Sequence, residues 1–115
     1  MKSVDALLDE ADELLERGEE KIAIDVGQGY KVFQQAIVKL LKAYLITNHQ
    51  EPLGDLKALF FQCQKHNSEF EAIEEVMALF AETDPNELDG ETITDAANEI
   101  WDFIMETFPM AEDEL

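Results

Sequence analysis

A chain of 115 residues is long enough for one domain with a modest core and too short for two ordinary ones. Hydrophobic residues make up 46% and charged ones 30%, a globular mixture, so the net charge of −19 does not imply disorder. No stretch approaches the roughly 20 apolar residues of a bilayer-spanning helix. Met1-Lys2-Ser3-Val4-Asp5 runs into an acidic segment without an apolar signal region, and the single cysteine, Cys63, excludes an intrachain disulfide; a cytoplasmic protein is the expectation.

The first helix is expected to start at Ser3 as cap, with Val4, Leu7, Leu8, Ala11, Leu14 and Leu15 as its stripe. Ile22 and Val26 continue the phase past Gly18, so it is expected to run to about Val26, with Gly27-Gln28-Gly29 breaking the chain. From Tyr30 to Asn48, the residues Val32, Phe33, Ala36, Ile37, Leu40, Leu41, Tyr44 and Leu45 recur at i, i+3, i+4 and i+7, which draws one wide apolar face along a second helix. A third is expected from Leu53 to Gln64, burying Leu56, Leu59, Phe60 and Cys63; among such neighbours Cys63 reads as a core thiol. Ser68-x-x-Glu71 has the form of a capping box opening a fourth helix with Phe70, Ile73, Met77 and Phe80 inward, ended by Thr83-Asp84-Pro85-Asn86. Thr92-x-x-Asp95 is the expected cap of a fifth, with Ala96, Ala97, Ile100, Trp101, Ile104 and Phe108 inward and Pro109 stopping it. No segment alternates at strand period. Residues 1–115 are therefore expected to form a single all-α domain, an up-and-down antiparallel bundle of four to five helices.

Polar residues in the second helix fall in the order Gln35-Ala36-x-x-Lys39-x-x-Lys42-Ala43-x-Leu45, and Gly54-Asp55-Leu56-x-x-Leu59 follows after a short loop. This arrangement resembles the central helix and following turn of HEPN domains, small all-helical bundles often found beside minimal nucleotidyltransferases. Ala97-x-x-Ile100-x-x-Phe103-Ile104 is similar to the helix that closes such bundles, after a loop that often holds a proline, here Pro85. The resemblance covers about Ala6 to Phe108. It implies a nucleotide-phosphate role for Gln35, Lys39 and Lys42, which also read as solvated positions flanking a buried stripe. Two positions depart from the family pattern: Val38 stands where Glu is expected, and Gly54 where His is expected. HEPN ribonucleases carry an Arg followed within a few residues by a His on the last long helix, a pair suited to holding phosphate and moving a ribose proton. Here the last helix has neither; the one Arg is Arg17, and the histidines are His49 and His66. No catalytic residue is therefore assigned.

Metal chemistry finds no support in the spacing. Glu87 to Thr94 superficially resembles a calcium loop, but placing Gly90 as the turn glycine puts Pro85 and Ala96 on ligand positions, and placing Ile93 as the central apolar residue puts Gly90 and Ala97 there. Neither His has a Glu three residues before it, as bridged iron sites require, and no Cys/His cluster suits zinc. Gly27-Gln28-Gly29 is not a phosphate loop, and no cofactor is assigned. Glu112-Asp113-Glu114-Leu115 is like an ER-retention signal without its Lys and reads as coincidence.

Charge is divided along the chain. Residues 1–65 hold eight basic and 11 acidic residues, and residues 66–115 hold no basic and 16 acidic ones, so nucleic acid backbone is repelled by the second half. The basic residues group modestly at Lys31, Lys39, Lys42 and Lys57. Phe61, Phe103 and Met105 lie outside a single stripe, which points to a homodimer. The expected function is a non-catalytic HEPN-like binding or interaction module, dimeric, with a nucleotidyltransferase or nucleotide-handling protein as partner and a nucleotide as candidate ligand, without membrane contact. Two alternatives stay open: a nucleotide-binding enzyme subunit whose lysines assist transfer, and an acidic antitoxin-like inhibitor.

Overall fold

The computed structural model describes residues 4–107, which form five α-helices and no strand: α1 (Val4–Ile22), α2 (Val26–Thr47), α3 (Leu56–His66), α4 (Glu74–Ala81) and α5 (Gly90–Thr107). Two short 3-10 turns, Ser68–Ile73 and Pro85–Glu87, precede α4 and α5. The Ser3 cap, Phe108, Pro109 and the Glu112–Leu115 tetrapeptide lie outside the described residues. Among the described residues no helix is long and apolar enough to cross a membrane.

The first connection differs from expectation. α1 stops at Ile22, and the chain reverses over Ala23, Ile24 and Asp25, with the Ile24 and Asp25 amides donating to the Lys21 carbonyl at 2.9 and 2.7 Å. Asp25 is extended, and its carboxylate accepts from the Gln28 amide at 3.2 Å, capping α2. Gly27-Gln28-Gly29 is therefore the first turn of α2 and breaks nothing. Glycine stands at 29 because of a tertiary approach: a Cβ there would lie 2.5 Å from the Ile22 Cβ and 2.6 Å from its Cα. Gly18 meets α2 in the same way, since a Cβ there would lie 2.7 Å from Cε1 of the Phe33 ring.

α2 is the centre of the bundle and packs against α1, α3 and α5. Tyr30, Phe33, Ala36, Ile37, Leu40, Leu41, Ala43, Tyr44 and Leu45 are all buried along it, an apolar arc wide enough to serve several neighbours. α1 contributes Leu7, Ala11 and Leu15, and α5 contributes Ile93, Ala96, Ala97, Ile100 and Ile104. Ring contacts close both ends of this core. Phe70 meets Tyr44 at 4.7 Å and Phe103 at 5.1 Å, and Phe80 stacks on Tyr30 at 5.5 Å. Phe103 is thus half-buried on Phe70, and Met105 is half-buried against the same core, so neither is spare apolar surface. Phe61 is, at 59% exposed. Trp101 is only half-buried.

The remaining helix starts also differ from those expected. Leu53 is outside α3, its amide bonded to Gln62 Oε1; Gly54 turns at φ 91, and Asp55 caps α3 by accepting from the Ala58 amide at 3.0 Å. Ser68-x-x-Glu71 is not a capping box: Asn67 ends α3 and accepts from the Glu69 amide, and the segment winds as a 3-10 turn before α4 begins at Glu74. Asp89, rather than Thr92, caps α5, accepting from the Thr92 amide at 2.7 Å. The eight-residue α4 is tied down by α2. The Tyr30 hydroxyl is shared between the Leu79 and Thr83 carbonyls at 2.6 and 2.9 Å, and Gln34 Nε2 donates to the Phe80 carbonyl at 2.7 Å. The bonds at Leu79 and Phe80 satisfy carbonyls that the end of α4 leaves open.

Candidate functional site

The outward side of α2 carries Lys31, Gln34, Gln35, Val38, Lys39 and Lys42, which recur every three or four residues and so share one side of the helix. They line a groove of about 600 Å³, with Leu56 at the start of α3 on its edge. Gln35, Lys39 and Lys42, the three residues singled out from the sequence, are brought together here. Lys31 joins them, while Lys57 lines a different groove between α3 and α4. Three of the eight basic residues of the chain meet in this one place, which makes it a cationic site on an acidic protein. Val38 is half-buried and Leu56 buried, so an apolar strip runs beside the ammonium groups.

Each polar group in the groove has a distinct circumstance. Lys39 reaches across to α1 and pairs with Glu10 at 2.8 Å, both side chains about one-third exposed. At that exposure the pair contributes no more than about 1 kcal/mol, so an incoming anion can compete for Lys39. Lys31 and Lys42 form no ion pair among the described residues. Gln34 spends its amide on the Phe80 carbonyl, a structural role, and Gln35 is exposed. A smaller hollow of about 200 Å³ on the α1 side shares Lys39 with the groove and adds Glu10, Glu13 and Arg17. The spacing of Lys31 relative to Lys39 was visible in the sequence; the Glu10 contact was not, because it depends on the register between two helices.

The cysteine and the two histidines lie away from this groove. Cys63 is fully buried, and burial pushes its thiol up to about 12, so it stays protonated at neutral pH. His66 ends α3 with its ring edge-on to Tyr44 at 5.9 Å, and His49 follows α2 at φ 62. Neither belongs to α5. Asp89, from the calcium-loop comparison, spends its carboxylate on the Thr92 amide, which holds it below the usual carboxylate range. Among the described residues no three His, Cys, Asp or Glu side chains gather as a metal site. The groove can therefore hold an anion through two or three ammonium groups, with an apolar strip for an attached ring or chain. Comparison of the chain with protein-family models, with curated proteins and with solved structures finds no match.

Proposed function

We propose that the chain is a HEPN-like binding module without a catalytic step of its own, that it pairs with a second copy, and that the α2 groove takes the phosphate of a nucleotide. The same reading makes it a companion of a nucleotidyltransferase or another nucleotide-handling protein. One observation carries the ligand part: Gln35, Lys39 and Lys42, named from the resemblance, line one groove together with Lys31. Lysine ammonium groups act on phosphate as point charges, and the apolar strip of Val38 and Leu56 suits the flat face of a base. The reading without catalysis rests on the sequence of α5, which has neither Arg nor His.

Affinity is expected to be modest. The whole chain carries −19, so an anion approaches against a long-range repulsion that the groove opposes only locally. Calorimetric titration of ATP is expected to give high-micromolar binding, weakened by added salt. A charge-assisted contact contributes about 1.5–3 kcal/mol, so Lys42→Ala is expected to weaken binding about tenfold or more. No heat at millimolar ATP removes the nucleotide ligand. Binding indifferent to both Lys39→Ala and Lys42→Ala moves it to another surface.

A further inference from the structure

A second groove, of about 510 Å³, runs between α3 and α4. Its two walls carry opposite charge. On the α3 side stand Lys57 and the exposed Phe61, with Lys65 over the Phe61 ring at 5.2 Å; α3 itself contains no acid, and Asp55 at its start is occupied as the cap. On the α4 side stand Glu74 and Glu82, and neither α4 nor Glu82 beside it supplies a base. Between the acids, Ala78 and Ala81 keep that wall shallow. Phe61 is held on a helix and is 59% exposed; among the described residues the other large exposed apolar ones, Ile24 and Leu53, sit in connections. The result is an aromatic anchor on one wall and a shallow, small-residue surface on the other.

We infer that this face is where two copies of the chain meet, related by a two-fold axis running along the groove. That axis places the α3 wall of each copy against the α4 wall of the other. Phe61 then covers the partner's alanines, and Lys57 and Lys65 face the partner's acidic wall, twice over by symmetry. Charge complementarity selects a second copy as the occupant. Self-contact through α5 or through the α2 groove sets like against like: α5 carries Glu91, Asp95, Glu99, Asp102 and Glu106 without a base, and the α2 groove sets lysine against lysine. The inference rests on the pairing proposed above and names its face.

The test is molar mass by light scattering or sedimentation at tens of micromolar and about 0.15 M salt, where long-range repulsion is screened beyond about 8 Å. The wild type is expected at twice the 13.1 kDa of one chain. Phe61→Glu is expected to weaken the dimer on the order of thirtyfold, the loss typical of a central aromatic anchor. Lys57→Glu with Lys65→Glu, and separately Glu74→Lys with Glu82→Lys, are each expected to be monomeric alone and to form a dimer when mixed. Helical circular dichroism and a cooperative melt establish that each variant is folded. A wild type of 13.1 kDa overturns both the face and the pairing, leaving the groove for another protein. A dimer that tolerates Phe61→Glu, or reversed variants that fail to pair on mixing, overturns the face and leaves the pairing standing.

Discussion

Alanine at the two glycines of the first α2 turn is expected to act with opposite sign. Helix propensity favours Ala over Gly by about 1 kcal/mol at an interior position and by less in a first turn. Gly27 collects that gain, because an added Cβ meets only the Asp25 carboxylate, at an ordinary 3.4 Å. Gly29 does not. Its Cβ would lie 2.5 Å from the Ile22 Cβ, 2.6 Å from the Cα and 2.8 Å from the backbone nitrogen. Carbon atoms rest at about 3.5–4.0 Å, so α1 must shift by roughly 1 Å, and two of the three obstacles are backbone. Overpacking of this kind costs about 1–3 kcal/mol, more than the propensity gain. Gly27→Ala is therefore expected to be neutral or stabilising by up to about 1 kcal/mol, and Gly29→Ala to be destabilising by about 1–2 kcal/mol net. Thermal melts resolve this readily, since 1 kcal/mol moves Tm by about 4 °C or more in a domain of this size. Equal gains at both positions refute the close approach at Ile22. Equal losses at both refute the placement of Gly27-Gln28-Gly29 inside α2.

Tyr30→Phe removes the hydroxyl shared by the Leu79 and Thr83 carbonyls and is expected to cost about 1 kcal/mol at neutral pH in a denaturant titration. Burial, and then Asp84, raise the Tyr30 pKa above its usual 10.0, so this stabilisation is present below pH 10.0 and is lost as pH rises through the folded value. The alkaline loss should be smaller in Tyr30→Phe and still present, because burial raises Tyr44 as well. Asp89 shifts the other way. Hydrogen bonds from Thr92, amide first and hydroxyl second, lower its pKa from 3.8, so its contribution is present above pH 3.8 and is lost as pH falls through the folded value. The stability difference between wild type and Asp89→Asn should accordingly be largest above pH 3.8 and shrink below it, and a difference that grows on acidification contradicts the cap.

The second helix is legible from its apolar period, which runs from Tyr30 through Leu45. Its start is not. Gly27 and Gly29 are strong local breakers, and the reason for glycine at 29 is Ile22 on another helix, a contact no local pattern encodes. Asp25 caps α2, but in the sequence it sits inside an apolar phase that Ile22 and Val26 continue. Ser68-x-x-Glu71 failed for a related reason: Asn67, one residue earlier, ends α3 through its amide and caps the following turn through its side chain. Phe103 looked surplus because its cover, Phe70, lies far away in the chain. For the groove, Gln35, Lys39 and Lys42 are singled out by the resemblance and helical spacing puts them on one side of α2, whereas Glu10 enters only through the register of α1 on α2. Local periodicity thus carries the fold class, the resemblance carries the three groove residues, and helix-to-helix contacts carry the rest.

The central claim is that the α2 groove holds an anion through its lysines, and Glu10 offers the most direct measurement. Its carboxylate occupies Lys39 at 2.8 Å, so a phosphate must compete with it. ATP titrations of Glu10→Gln and Lys42→Ala are expected to move in opposite directions, Glu10→Gln tightening binding by several-fold and Lys42→Ala weakening it about tenfold. Both variants shifting affinity the same way, or neither shifting it, contradicts the groove as the anion site.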